Sequence, residues 1–310
     1  MSDDVIPAEN DAYVRFVFDL IKQHLSGTPP DVLWHYTSGA ALIDIIKSGS
    51  LFATQIACVN DATEIRYSVE KLRAAFARRR LNATNPDEVA LVDHVLGNIS
   101  TETVNSEWFV ICFSKRRDDL SQWRAYSGGE NGFAIGVDAH ALLSSIKRDG
   151  FYLGPVNYDE RTHSHVVDQI AAATITFYLR GLALPGRTRA GWMQSFLTAW
   201  AVHIGHIAPV IKNPAFKDEE EWRIFHPLQP ADTPNMVYRQ KRTLMSRHLP
   251  VRLFKAAVPD EPKLMPITGV MVGPSRHKNI TRVSVGDLMR TQGYGASISV
   301  SMSDIPFQET

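Results

Sequence analysis

The 310-residue chain has only two cysteines, Cys58 and Cys112. That scarcity excludes a disulfide framework and a four-cysteine zinc site, and it points to a reducing compartment. Net charge is also missing, because 33 Lys and Arg balance 33 Asp and Glu. No global field draws such a chain to nucleic acid or to an anionic membrane, so any polyanion has to be recognised locally. There is no apolar run of about 18 residues, the length a spanning helix needs. The opening MSDDVIPAEN is acidic and lacks the basic and apolar regions of a signal peptide. The expected location is therefore the cytoplasm, with no membrane partner. A dinucleotide fingerprint is absent too: the glycines of GGENGFAIG follow a helical pattern and precede a strand pattern, the reverse of a phosphate loop. What is present is 44% hydrophobic and 21% charged, enough for a sizeable core in one large domain or two small ones.

The stretch VLWHYTSGAALIDIIKSGSLFAT, residues 32–54, reads as strand, polar corner, helix and strand. Val32 to Trp34 form the apolar strand, Ser38 caps a helix whose stripe is Ala41, Leu42, Ile45 and Ile46, and Gly49 ends it. His35 and Thr37 then fall at the strand's carboxyl edge beside a helix N-terminus, an address that suits anions such as pyrophosphate. Taken alone, His35 fits better a histidine hydrogen-bonded within a tight turn. Upstream, residues 10–25 repeat apolar positions at helical spacing. Downstream, Asp61 with Glu64 fits a capping box for a helix carrying Ile65, Val69, Leu72 and Phe76. Arg78 to Arg80 suit the negative end of that helix and read as a solvated terminus rather than a nucleic-acid patch.

Further along, Trp108 to Phe113 read as a buried strand ending at Ser114. Asp119 to Tyr126 form a short helix with Trp123 and Tyr126 on one face, Gly128 to Gly132 a turn, and Phe133 to Val137 another strand. Residues 159–210 turn helical. Within them His203, Ile204, Gly205 and His206 spell the HIGH motif of nucleotidyltransferases, but at the end of a long helix rather than after a first strand. His163 and His165 lack a third metal ligand at a supporting spacing. In NPAFKDEEEWRIFHPL a strand at Trp222 to Phe225 begins behind carboxylates, and strand alternation places Glu219 and Glu221 on one face. Two such like charges serve either as a ligand site or as an edge that discourages aggregation. The end of the chain reads strand, a helix over 277–292, and strand.

The set LWHYTS, NDATE at 60–64, CFS at 112–114 with SQWRAY and GFAIGVD, FKDEEEWRIF, VGP and SMSDIP resembles domain-of-unknown-function family 2971 from about residue 31 onward. The same blocks resemble, in order, the three-part signature of ADP-ribosyltransferases. That signature has a first strand ending in a histidine followed by Ser or Thr, a second block with an aromatic strand and a tyrosine-bearing helix, and a glutamate opening a late strand. Tyr36 stands where the poly-ADP-ribose polymerases among them usually have glycine, and the interval from Phe113 to Tyr126 is longer than theirs.

The resemblance implies an α+β fold with a split, mostly antiparallel ADP-ribosyltransferase-like sheet. It would span 31–310 as a single domain with a helical insertion at about 159–210, behind a helical segment over 1–30. It implies NAD as co-substrate and no metal. His35 would bond the adenosine ribose and Thr37 would lie at the nicotinamide amide. Tyr126, with Trp123, would stack on the nicotinamide, with Ser114 at the end of the neighbouring strand. Glu221 would be the catalytic carboxylate, with Glu219 the first acid of an E-x-E pair. A carboxylate facing an oxocarbenium-like ribose stabilises the transition state more than the ground state. The activity expected is ADP-ribosyl transfer, or NAD glycohydrolysis, as in a bacterial defence or toxin protein. The acceptor stays open among protein, nucleic acid and water. The rival expectation is a non-catalytic nucleotide-binding sensor or interaction module.

Overall fold

A computed structural model describes residues 8–59, 63–100, 108–126, 132–146, 150–228, 230–240, 244–253, 264–295 and 298–306. The chain divides into two units. One comprises Met1–Ser26, Asp61–Trp108 and Val156–Lys217, and the other Gly27–Asn60, Phe109–Pro155 and Asp218–Thr310.

The first unit is helical: α1 (Ala8–His24), α3 (Thr63–Asn82), α4 (Pro86–Asn98), α7 (Glu160–Leu182) and α8 (Arg189–Ile204), numbered along the whole chain. Their apolar stripes meet at Tyr13, Phe76, Val166, Ile170, Tyr178 and Phe196, all fully buried. The insertion expected at about 159–210 thus shares this unit with α1, α3 and α4. Helix α4 carries signals that sequence reading passed over: Asn85 caps it by accepting from the Asp87 and Glu88 amides, and Pro86 opens its first turn. The basic end of α3 is paired at the surface, Arg78 with Asp168 and Arg80 with Asp93, each at 2.7 Å. The expected capping box over Asp61 and the turn before Gly132 lie outside the described residues.

The second unit is built on a ten-stranded sheet. In chain order it has β1 (Val32–Ser38), α2 (Gly39–Ser48), β2 (Ser50–Gln55), β3 (Trp108–Ser114), α5 (Leu120–Tyr126), β4 (Gly132–Asp138), α6 (Ala139–Ile146) and β5 (Tyr152–Pro155). There follow β6 (Glu221–Pro227), β7 (Val237–Gln240), β8 (Met245–Arg252), β9 (Ile267–Val272), α9 (Lys278–Thr291) and β10 (Ser299–Met302). The order is β10-β9-β4-β1-β3-β2-β8-β7, with β6 on β3 and β5 on β6. Only the β9–β10 pair is parallel among the registers described. The fold is therefore α+β with a mostly antiparallel sheet.

Strand β1 pairs with β4 along its whole length, from Val32 opposite Asp138 to Ser38 opposite Gly132. This pairing carries the strand four residues past Trp34, so His35 and Thr37 are strand residues rather than corner residues. They share one face because successive side chains alternate. Helix α2 starts as expected, with Ser38 accepting from the Ala41 amide, and it stops at Gly49, whose φ of 64° costs glycine little. Its buried face, Leu42, Ile45 and Ile46, joins the core with Leu33, Phe109, Ile111, Ile135 and Ile224.

The pairing of β3 is divided. Its C-terminal Ser114 lies opposite Trp34 of β1, whereas Val110 and Phe109 lie opposite Thr54 and Gln55 of β2. The two registers do not overlap, so the sheet opens between β1 and β2 around Cys112. Among the described residues, no helix is long and apolar enough to cross a membrane.

Candidate functional site

Residues on either side of this opening line a cavity of about 500 Å³. Its walls come from β1, the first turns of α2, β2, the middle of β3, the end of α5, the start of β6, and the β7–β8 hairpin. Five residues singled out in the sequence line it: His35, Thr37, Tyr126, Glu219 and Glu221.

His35 is fixed by a 2.9 Å hydrogen bond from Nδ1 to the Cys112 carbonyl, at the point where β1 and β3 part. A carbonyl can only accept, so Nδ1 carries the proton and Nε2 of the neutral ring is an acceptor. Burial pulls this imidazole below the usual histidine range, opposed by the Cys112 bond. Neutral His35 therefore suits a hydroxyl that donates. Thr37 is 8% exposed on the same face.

Tyr126 is the last residue of α5. Burial pushes its phenol well above the ordinary 10.0, with Cys112, Glu221 and Glu219 adding to the rise and Arg223 opposing it. It is thus a neutral donor close to both acids. Trp123, one turn earlier, is absent from the cavity wall. Its indole N–H donates to Asp118 at 2.7 Å and its ring lies edge-on against Tyr36, 4.7 Å between centroids. The helical spacing that pairs Trp123 with Tyr126 holds, but the Asp118 bond and Tyr36 turn Trp123 into a small core with Ala134 and Met271. Ser114 is also off the wall. Buried to 1%, its hydroxyl donates to the Glu219 carbonyl at 2.9 Å and accepts from the Arg116 amide, joining the end of β3 to the chain before β6.

The acids reach the cavity by a route that alternation did not foresee. Glu219 ends a 3-10 turn over Pro214–Glu219, and β6 begins at Glu221. Between them Glu220 has φ 44°, the one positive φ among the described non-glycine residues. A side chain in that left-handed region costs roughly 1–2 kcal/mol, and the surroundings hold it there. Arg116 bonds the Glu220 carboxylate at 2.9 Å and Asp119 at 3.2 Å, while the Lys115 amide donates to the Glu220 carbonyl. Asp119 in turn caps the helix that carries Tyr126 through the Ser121 and Gln122 amides. The kink at Glu220, rather than a straight strand, presents Glu219 and Glu221 to one cavity. Glu221 itself is 4% exposed, and both its oxygens are engaged by Arg223, at 2.7 and 2.8 Å.

A further part of the wall was missed by sequence reading. Arg239 of β7 lies 4.1 Å over the Phe52 ring and pairs with Asp44 of α2 at 3.2 Å. His248 of β8 joins Thr54 at 3.1 Å and Ser246 at 2.7 Å. Gln122, Gln240 and Cys112 also belong to the lining. The one available signal was the alternating MSRHLPVR run, weakened by Pro250 inside it.

The other motifs sit elsewhere. His206 is buried in the helical unit, edge-on against Trp108 and Phe18. Gly205 of the same motif has no room for a side chain, since a Cβ there would lie 2.1 Å from the Trp108 indole nitrogen. The His203 side chain lies outside the described residues. His163 donates through Nε2 to the Asn157 carbonyl at 2.8 Å and accepts from the Tyr67 hydroxyl at 2.9 Å, and His165 packs on His24. Among the described residues, no group of three or more His, Cys, Asp and Glu is arranged to hold a metal ion.

Compared with known families, residues 122–224 match one described as "Protein of unknown function (DUF2971)". The match supports the resemblance to that family over a stretch that starts inside α5 and ends inside β6, and so takes in Tyr126, Glu219 and Glu221. No curated protein matches the chain.

Proposed function

We propose that this cavity binds NAD and that the protein cleaves its nicotinamide–ribose bond, passing ADP-ribose to an acceptor or to water. One observation carries the reading. Residues chosen for that chemistry from His35 to Glu221, 186 positions apart, line a single cavity in a divided antiparallel sheet.

Each group has work to do there. Neutral His35 accepts a hydrogen bond from a ribose hydroxyl through Nε2. Tyr126 offers a flat face to the nicotinamide, with its phenol kept protonated. As the bond from ribose C1′ to the nicotinamide nitrogen breaks, both electrons leave with the ring, and positive charge develops on the ribose. A carboxylate facing that charge lowers the barrier. Glu221 is assigned that role and Glu219 the orientation of the acceptor, which loses a proton as its oxygen or nitrogen closes on C1′. Ser114, through the Glu219 carbonyl, acts as a positioning residue.

The second reading, a binding module without turnover, draws on the Glu221–Arg223 contact. A carboxylate held at both oxygens by a guanidinium has part of its charge compensated before any ligand arrives. Incubation with NAD decides between the two. Released nicotinamide, slowed about 10²- to 10³-fold by Glu221→Gln, supports the enzyme. Saturable NAD binding without nicotinamide release would overturn it in favour of the module.

A further inference from the structure

We infer that Arg239 is the diphosphate-holding residue of this cavity and that the cavity accepts a dinucleotide in one orientation only. The inference takes its ligand from the NAD reading above, although its test does not require turnover.

The cavity has two chemically distinct sides. Glu219, Glu221 and Tyr126 belong to the side built by β3, β6 and α5, where Arg223 holds the Glu221 carboxylate and Ser114 donates to the Glu219 carbonyl. Arg239 belongs to β7, three steps from β3 in the order β3-β2-β8-β7, and its partners are Phe52 of β2 and Asp44 of α2. The two charged groups share none of these neighbours. One side of the cavity is acidic and the other presents a guanidinium.

The arrangement around Arg239 suits a phosphate. Its ring contact with Phe52 holds the guanidinium plane and leaves the edge N–H groups as a fork that matches phosphate oxygens. The side chain is 30% exposed, open enough to be reached from the cavity it lines. Asp44 is 56% exposed, so its hold on the guanidinium is weak and a phosphate can compete with it. Next to it, His248 has both ring nitrogens engaged, by Thr54 and Ser246, which fixes the Thr54 hydroxyl at the wall. NAD carries a positive nicotinamide ring and a negative charge on each phosphate. The ring then lies toward Glu219 and Glu221 and the diphosphate toward Arg239. The reversed pose sets phosphates against carboxylates.

Calorimetric titration of the full chain with ADP-ribose tests this. Arg239→Gln should weaken binding about 10- to 100-fold, the loss of a charge-assisted pair, and Arg239→Lys should weaken it less. Asp44→Asn should tighten binding about 2- to 5-fold, because it frees the guanidinium from an exposed pair. Opposite signs for Arg239→Gln and Asp44→Asn are what a structural ion pair cannot give, since both variants break the same pair. Adenosine, which has no phosphate, should show no dependence on Arg239. The inference is overturned if Arg239→Gln binds ADP-ribose like the parent, if Asp44→Asn weakens binding as Arg239→Gln does, or if adenosine binding falls equally. The two readings fail separately. Arg239-dependent ADP-ribose binding without nicotinamide release from NAD keeps this inference and removes the enzyme. Nicotinamide release with no Arg239 dependence does the reverse.

Discussion

Glu221 and Arg223, two residues apart on β6, face the same way and meet through two hydrogen bonds of 2.7 and 2.8 Å, with 4% and 1% of their side chains exposed. Trp222 between them points into the core. A buried pair of this kind is costly to break from one side, because the remaining charge keeps its desolvation penalty without its partner. Arg223→Met should therefore destabilise the fold by about 3–5 kcal/mol. Adding Glu221→Gln should restore most of that loss, since the orphaned charge is then gone. Urea unfolding of the two single variants and the double variant measures the coupling. Additive losses would mean that the pair is not coupled as its geometry implies.

His206 offers a control that separates packing from chemistry. It is 4% exposed and wedged between Phe18 and Trp108 in the helical unit. His206→Ala should cost about 1–3 kcal/mol, as core truncations do. Nicotinamide release at a temperature where the variant is folded should match the parent. Loss of all turnover with the fold intact would return the HIGH motif to consideration.

Several features were legible in the sequence for physical reasons that the structure repeats. Ser38 and Gly49 frame α2 because a capping hydroxyl and a left-handed glycine act locally, without help from the rest of the fold. Tyr126 reaches the cavity from the last turn of the expected short helix. The misses are non-local. Glu219 and Glu221 reach one cavity through the φ of Glu220, which Arg116 and Lys115 hold from another part of the chain, whereas alternation assumed a continuous strand. Trp123 looked equivalent to Tyr126 until Asp118 and Tyr36 were in place to claim it. Arg239 and His248 sit on two strands that, among the described residues, pair with each other and with β2, and Pro250 obscures the pattern of β8.

Acid should weaken this protein through His35 and His163. Burial lowers the proton affinity of His35 and of His163 in the folded state, so on acidification the unfolded chain takes up protons first, near its ordinary value of about 6.5. Stability is then fully present above that value and falls as pH drops from it toward the lower folded values. Between about pH 7.5 and about pH 5.5 the urea midpoint of the parent should fall, and in His35→Asn it should fall less. NAD binding by the folded protein should weaken only at lower pH, where the folded-state imidazole itself takes up a proton and loses its Nε2 acceptor. A midpoint drop unchanged by His35→Asn would mean that His35 titrates in the folded protein as it does in the unfolded chain.

The two acids can be told apart by kinetics. Gln in place of Glu221 keeps the size and still hydrogen-bonds, so NAD affinity should survive, while the charge facing the developing oxocarbenium is lost. Removing one such preorganised contact lowers the rate by about 10²- to 10³-fold. The loss should appear in kcat and leave KM nearly unchanged, the pattern of an interaction made mainly in the transition state. Arg223 sharpens the expectation. With Gln at 221 the guanidinium loses the carboxylate that meets it at two oxygens, so the charge beside the ribose becomes more positive, Glu221→Gln should fall at the severe end of that range, and Glu221→Gln/Arg223→Met should recover part of the rate. Glu219→Gln should change nicotinamide release less and transfer to an acceptor more. If Glu221→Gln turns over NAD like the parent while Glu219→Gln does not, the catalytic carboxylate is Glu219. If both match the parent, the acids serve the kink at Glu220 and the catalytic reading fails.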